Sequence, residues 1–214
     1  ASFKDEKRLL CIKALEKINN LYPSYEKSVA SFINNDIFSN DRFKLDTENL
    51  KSSSLPIVVC VGNNRGGGTL KFLKERAVQK QSLEIRLFLT LSLNRKHMLN
   101  LYYLPNMIEI SKVFKFHEIE EFFNIINPSY IEVHQLLDYP YSFSEFILKL
   151  KIRYSVYIHD FFLKCPQVTL SNNDGIYCSE PPKEECQACI SDRPVKEISN
   201  IIDWRNKNKI FLQN

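Results

Sequence analysis

Leu55-Pro56-Ile57-Val58-Val59-Cys60-Val61-Gly62-Asn63-Asn64-Arg65-Gly66-Gly67-Gly68-Thr69-Leu70 is the stretch on which the reading of this chain turns. Pro56 to Val61 is apolar throughout, with no polar alternation, the pattern of a strand covered on both faces of a parallel sheet. Three of the five glycines then fall together at 66 to 68, ahead of a helical pattern over Leu70 to Gln79. Glycine lets a backbone turn tightly and approach a ligand closely, and a helix start offers amide donors that lack intrahelical partners. A phosphate or a sugar hydroxyl suits such a bend, and so does a plain strand-to-helix turn. Gly62-x-x-x-x-Gly67-Gly68-Thr69 imitates a P-loop but has Gly68 in place of the lysine, and no Gly-x-Gly-x-x-Gly pattern is present, so both nucleotide motifs are disfavoured.

Downstream, Leu83 to Leu91, Met107 to Ile110, Tyr130 to Val133 and Tyr154 to Ile158 read as strands. Helices are expected over Phe116 to Ile126 and after Ser142-x-x-Glu145, which has capping-box spacing. Repeated strand, helix, strand units predict an α/β fold over residues 55 to 214: a Rossmann-like, mostly parallel sheet with helices on both faces. Ligands of such sheets bind beyond the carboxyl ends of the strands. The glycine bend, His134 and the pair His159-Asp160 each follow a strand and belong to that edge. An imidazole placed there can take a proton near neutral pH, while Asp160 either orients it or shapes the loop. The plainer alternative for each histidine is a hydrogen-bonded structural residue.

Upstream, Leu10, Cys11, Ala14, Leu15, Ile18 and Leu21 recur at helical spacing, and Ser24 is positioned to cap a second helix carrying Val29, Phe32 and Ile33. The polar run Asn34 to Ser54 reads as a linker or surface loop. Residues 1 to 54 are thus expected to form a helical extension and linker.

Cys165, Cys178, Cys186 and Cys189 lie in residues 161 to 194, a stretch with little periodicity and many turn formers. A loop that long needs a clamp. Four thiolates around zinc would provide one, and Cys186-x-x-Cys189 has the spacing of two ligands to one metal; disulfides and free buried thiols are the alternatives. Such a closed site has no open coordination position, so the zinc would be structural, with no catalytic metal. Cys11 and Cys60 read as ordinary buried cysteines.

With 214 residues, 44% of them hydrophobic, the chain can bury a sizeable core. Its net charge of +4 is small and dispersed, which argues against a nucleic-acid partner and leaves room for peripheral contact with an anionic membrane surface. No apolar run approaches the ~18 to 20 residues of a membrane helix. The chain begins at Ala1 without the apolar stretch of a signal peptide, so a cytoplasmic protein is expected, peripheral at most to the inner membrane face. In that reducing compartment the cysteines are thiols or metal ligands.

The glycine bend, Ile131-Glu132-Val133-His134, Val156-Tyr157-Ile158-His159-Asp160-Phe161, Cys165-Pro166, Asp174-Gly175-x-Tyr177-Cys178 and Cys186-x-x-Cys189 together resemble the N-terminal half of bacterial GT-B glycosyltransferases of family 4 (group 1). Most similar are the O-antigen and cell-surface polysaccharide enzymes with a cysteine-rich insert after the His-Asp motif. Ile202-Asp203-Trp204-Arg205 resembles the segment preceding their second domain, and the likeness spans about residues 55 to 212. The resemblance implies two Rossmann-like domains facing a cleft, with a glycan acceptor held by the first and a nucleotide sugar by the second. It implies that Gly66, Gly67, Gly68 and Thr69 border the donor phosphates and the acceptor, that His159 with Asp160 stands near the reacting sugar, and that His134 lines the acceptor side. The second domain, with its Glu-x7-Glu donor motif, has no counterpart in these residues, and an Asp-x-Asp metal motif is also absent. The chain is therefore expected to be the acceptor-side half of a glycosyltransferase and inactive alone. The competing expectation is a non-catalytic, zinc-stapled interaction module.

Overall fold

Every residue of β1 (Ile57–Val61) is buried, as its unbroken apolar run requires of a central strand. The computed structural model describes residues 3–52, 55–63, 67–79, 83–91, 97–103, 108–114, 118–137, 139–195 and 197–214. By its internal contacts the chain divides into two units, Ala1–Arg42 and Phe43–Asn214.

The second unit contains a six-stranded sheet in the order β4-β3-β2-β1-β5-β6. From β1 the chain runs through α4 (Gly67–Gln79) to β2 (Leu83–Leu91), which lies parallel to β1. β3 (His97–Tyr103) and β4 (Ile108–Phe114) then follow as an antiparallel meander. After α5 (Glu118–Ile126) the chain returns to the other side of β1 as β5 (Tyr130–Val133), and α6 (Phe143–Lys149) leads to β6 (Tyr154–Val156). β1, β2, β5 and β6 are parallel, so the direction of winding reverses between β1 and β5. A reversal of this kind opens a crevice at the carboxyl ends of the two strands.

Helices cover both faces. Ile57, Val59 and Val61 pack with Ile131 and Val133 against Phe122, Phe123 and Ile126 of α5, Phe143 and Ile147 of α6, and Trp204 and Phe211 of α8 (Ile201–Gln213). Each such fully buried side chain contributes about 1.5–3 kcal/mol. On the other face Val58 and Cys60 meet Leu73 of α4. Helix α8 is held at its start by Asn200, whose side chain accepts from the amides of Ile202 and Asp203, and near its end by Tyr154, which stacks on Phe211 and donates to its carbonyl.

Several expectations are corrected. The run Asn34 to Ser54 is not a loop: it contains α3 (Ser39–Ser52), whose polar composition hides the two buried residues that seat it, Thr47 and Leu50. Strand β3 was not among the expected strands; it lies antiparallel to β2, its neighbour in sequence. Helix α4 starts at Gly67, three residues earlier than the apolar pattern indicates. Ser142 precedes α6 with helical backbone angles (φ -79°, ψ -2°) and makes no side-chain cap, and Glu145 bonds Lys207 at 2.9 Å. The cysteine-rich stretch contains α7 (Lys183–Asp192), which carries Cys186 and Cys189 on successive turns.

The first unit consists of α1 (Phe3–Leu21), α2 (Tyr25–Asn35) and the start of α3. Both expected helices form, though Ser24 makes no side-chain cap and Cys11 is exposed, not buried. The apolar stripe of α1 (Leu10, Leu15) and of α2 (Phe32, Ile33) is likewise exposed, which is why Cys11 on that stripe has no core to enter. Among the described residues no helix is long and apolar enough to cross a membrane.

Candidate functional site

In the parallel register Cys60 stands beside Glu132, and Glu132 beside Ser155. Side chains alternate along a strand, so Glu132 and His134 from β5 share a face with Tyr157 and His159 from the end of β6, the face beneath α4. The ladder runs one residue past each strand, with the His134 amide donating to Val61 and the Tyr157 amide to Val133, both at 2.8 Å. That extension brings the two histidines together at the carboxyl edge.

His134 Nδ1 is 3.0 Å from His159 Nε2, and His134 Nε2 is 3.4 Å from Glu132 Oε2. Helix α4 closes the arrangement from above. Arg76 donates from Nε to Glu132 Oε2 at 2.7 Å and from Nη2 to Oε1 at 2.5 Å, and reaches Tyr157 Oη at 2.8 Å. Tyr157 stacks on the His134 ring at 4.4 Å between centroids, and Phe72, one turn before Arg76, lies 5.8 Å from both imidazoles. Glu132 is fully buried and His134 is 3% exposed, whereas His159 is exposed. Burial pushes the His134 imidazole below its usual value; the bond and charge of Glu132 oppose this, and His159 and Arg76 add to it. His134 thus lies behind His159, and of the two imidazoles only that of His159 is exposed.

Asp160 does not touch His159. Its carboxylate accepts from the Gln135 side chain and from the Phe162 amide, the latter at 2.8 Å, so it shapes the loop after β6. Gly66 lies outside the described residues. Gly67 (φ +78°) and Gly68 open the first turn of α4 together with Thr69, and a Cβ at either glycine would meet nothing within 4 Å. The concavity between His134, Gln135, Tyr157, His159 and Asp160 has a volume of about 20 Å³. That is room for a water and not for a sugar ring, so any larger ligand rests on the rim.

Two groups offer metal donors. Cys60 Sγ, a Glu132 oxygen and a His134 nitrogen lie within 4.8 Å of one another, all buried, and could hold a metal ion. Both Glu132 oxygens also bond Arg76, so an ion there would share that carboxylate with the guanidinium. The second group is Cys165, Cys178, Cys186 and Cys189, which all line one cavity of about 300 Å³. They are not gathered as tightly as the first trio. Arg193 donates to Cys189 Sγ at 3.0 Å and Arg205 to Cys186 Sγ at 3.3 Å. Burial, and the proximity of the other three cysteines, push the Cys165 thiol up. All six cysteines are free of disulfides.

No protein-family model, curated protein or solved structure matches the chain.

His134 and His159 were legible from their positions after strands. Arg76, Phe72, Glu132 and Tyr157 were not, although a signal existed: polar or aromatic residues at every second position, 130, 132, 134 and 155, 157, 159, mark one sheet face. Only the strand register shows that the two series meet.

Proposed function

We propose that this chain is the acceptor-side half of a glycosyltransferase that moves a sugar from a nucleotide sugar to a hydroxyl of a glycan or lipid-linked glycan in cell-surface polysaccharide synthesis. The observation that carries the reading is the contact of His134 with His159 at the carboxyl edge, on the strand that flanks the winding reversal, with one imidazole exposed. The open start of α4 near by, where Gly67, Gly68 and Thr69 present helix amides, suits a diphosphate or a sugar hydroxyl. Phe72 joins the two features, five residues and about 7.5 Å along the helix from Gly67. The small volume behind the histidines fits a GT-B arrangement, in which a second Rossmann-like domain supplies the opposite wall and most of the donor contacts. In this reading His159 orients or activates a reacting group, Asp160 sets the loop that carries it, and no catalytic metal takes part.

A structural zinc at Cys165, Cys178, Cys186 and Cys189 belongs to the same proposal. Four soft donors face one cavity, and two arginines donate to sulfurs, as second-shell groups do when thiolate charge must be offset. Zinc there would supply cross-linking of the 161 to 194 segment and no chemistry. Purified full-length parent protein, incubated with a panel of nucleotide sugars and lipid-linked acceptors, tests the function: acceptor-dependent release of nucleotide with transfer of sugar is expected, and phosphoryl or acyl transfer with no sugar transfer would contradict it.

A further inference from the structure

The neighbouring strands β2, β1 and β5 place four donor side chains on the sheet face beneath α4. Cys60 of β1 stands beside Glu132 of β5, and His134 follows Glu132 on the same face. Glu84 of β2 stands beside Val58, two residues before Cys60, and so shares that face. All four are buried, Cys60 and the two glutamates completely. Cys60 Sγ is 4.0 Å from Oε2 of both Glu84 and Glu132, and Glu132 Oε2 is 3.4 Å from His134 Nε2. Tetrahedral zinc, with bonds of about 2.3 Å to sulfur and about 2.1 Å to nitrogen and oxygen, separates sulfur from oxygen by about 3.6 Å and nitrogen from oxygen by about 3.4 Å. The His134 and Glu132 atoms already stand at that spacing, and Cys60 is within about half an ångström of it.

We propose that Cys60, Glu132 and His134, with Glu84 as the fourth ligand, form a buried site for a divalent ion of the zinc class that ties β1, β2 and β5 together and is separate from the cysteine cavity. The donor set selects the ion: a thiolate and an imidazole beside carboxylates suit zinc and cobalt, whereas magnesium and calcium take oxygen ligands. The surroundings are those of a ligated imidazole and carboxylate. His134 Nδ1, the nitrogen turned away from Glu132, is 3.0 Å from His159 Nε2, Tyr157 stacks on the ring at an interplanar angle of 12°, and Arg76 holds Glu132. On binding, the Cys60 thiol gives up its proton to solvent and His134 offers the lone pair of Nε2, its ring hydrogen standing on Nδ1 toward His159. Four protein ligands leave no coordination position for a substrate, so the ion braces the ring behind His159 and takes no part in chemistry. Because Arg76 shares the Glu132 carboxylate, the ion is held less tightly than by four cysteines, and the site stays available once the cysteine cavity is filled. None of this depends on the glycosyl-transfer reading.

Cobalt(II) added to the full chain as isolated tests the site. Uptake of about one Co²⁺ per chain is expected beyond the metal already bound, with a near-ultraviolet thiolate-to-cobalt band and the visible bands of tetrahedral cobalt. Cys60→Ser should abolish the thiolate band of this equivalent, and Glu84→Gln should weaken its binding by at least about tenfold. Cys186→Ser with Cys189→Ser should leave it in place. Uptake that survives Cys60→Ser unchanged, uptake that vanishes in the double cysteine variant, or unaltered affinity in Glu84→Gln would each overturn the proposal. Should the Cys60 variant fail to fold, nitrogen NMR of the unsubstituted ¹⁵N-labelled chain decides: zinc added beyond the cysteine-cavity equivalent is expected to shift His134 Nε2 as a ligated nitrogen, and an unmoved His134 signal would overturn the site.

Discussion

Arg76 and Glu132 are joined at two points, 2.7 and 2.5 Å, across the gap between α4 and the sheet, with the Glu132 side chain fully buried and that of Arg76 23% exposed. A buried carboxylate tolerates this position only while paired, because removing one partner strands the other charge. Arg76→Ala is accordingly expected to destabilise the fold by about 3 kcal/mol, the lower end of the range for such losses because the guanidinium is partly wet. Replacing both residues by apolar ones of similar size should cost clearly less than the single change. Urea unfolding of the three variants measures it.

His134 gives stability a dependence on pH. Its folded-state value lies below the ordinary one through burial, so the unfolded chain binds the proton more readily. The contribution is complete above the unfolded value, about 6.5, and is lost as pH falls through the lower folded value. The slope cannot exceed about 1.4 kcal/mol per pH unit for one proton. Midpoints of urea unfolding between about pH 7.5 and 5 should fall, and His134→Asn should flatten that decline.

Gly67 and Gly68 stand side by side but are expected to respond in opposite senses. Gly67 has φ +78°, where a side chain is strained, so Gly67→Ala should destabilise by about 1–2 kcal/mol. Gly68 lies within the first turn without a positive φ and with open space around it, so Gly68→Ala should stabilise by about 0.4–1 kcal/mol. Thermal unfolding of the two variants checks both signs.

Metal analysis tests the cysteine cavity. About one zinc per chain is expected, and less than about half an equivalent counts against the site. Cys186→Ser with Cys189→Ser should remove the metal and raise proteolysis between residues 161 and 194, while the strands keep their protection from hydrogen exchange.

What the sequence made legible follows from range of interaction. β1 could be read because its burial is written as an apolar run, and Tyr130–Val133, apolar and aromatic around one buried glutamate, matches its strand residue for residue. β3 begins at a histidine and carries Asn100 at its middle, so it shows no apolar run, although its partner β2 is its neighbour in sequence. α3 and α7 were obscured by composition: α3 is polar apart from a few seating residues, and α7 sits among cysteines and prolines that suggest turns. Within the site, position after a strand sufficed to find His134 and His159. It could not show that His134 is buried, or that Asp160 bonds Gln135 and not His159. Those facts depend on the register between β5 and β6 and on how α4 lies over it.

The most direct measurement is sugar transfer by the full-length parent protein carrying His159→Ala, beside the unaltered protein and Asp160→Asn. The account predicts that kcat/KM for the acceptor falls by about 10²–10⁴-fold in His159→Ala, with a smaller loss in Asp160→Asn, which disturbs only the loop. Transfer at the original rate by His159→Ala would contradict it.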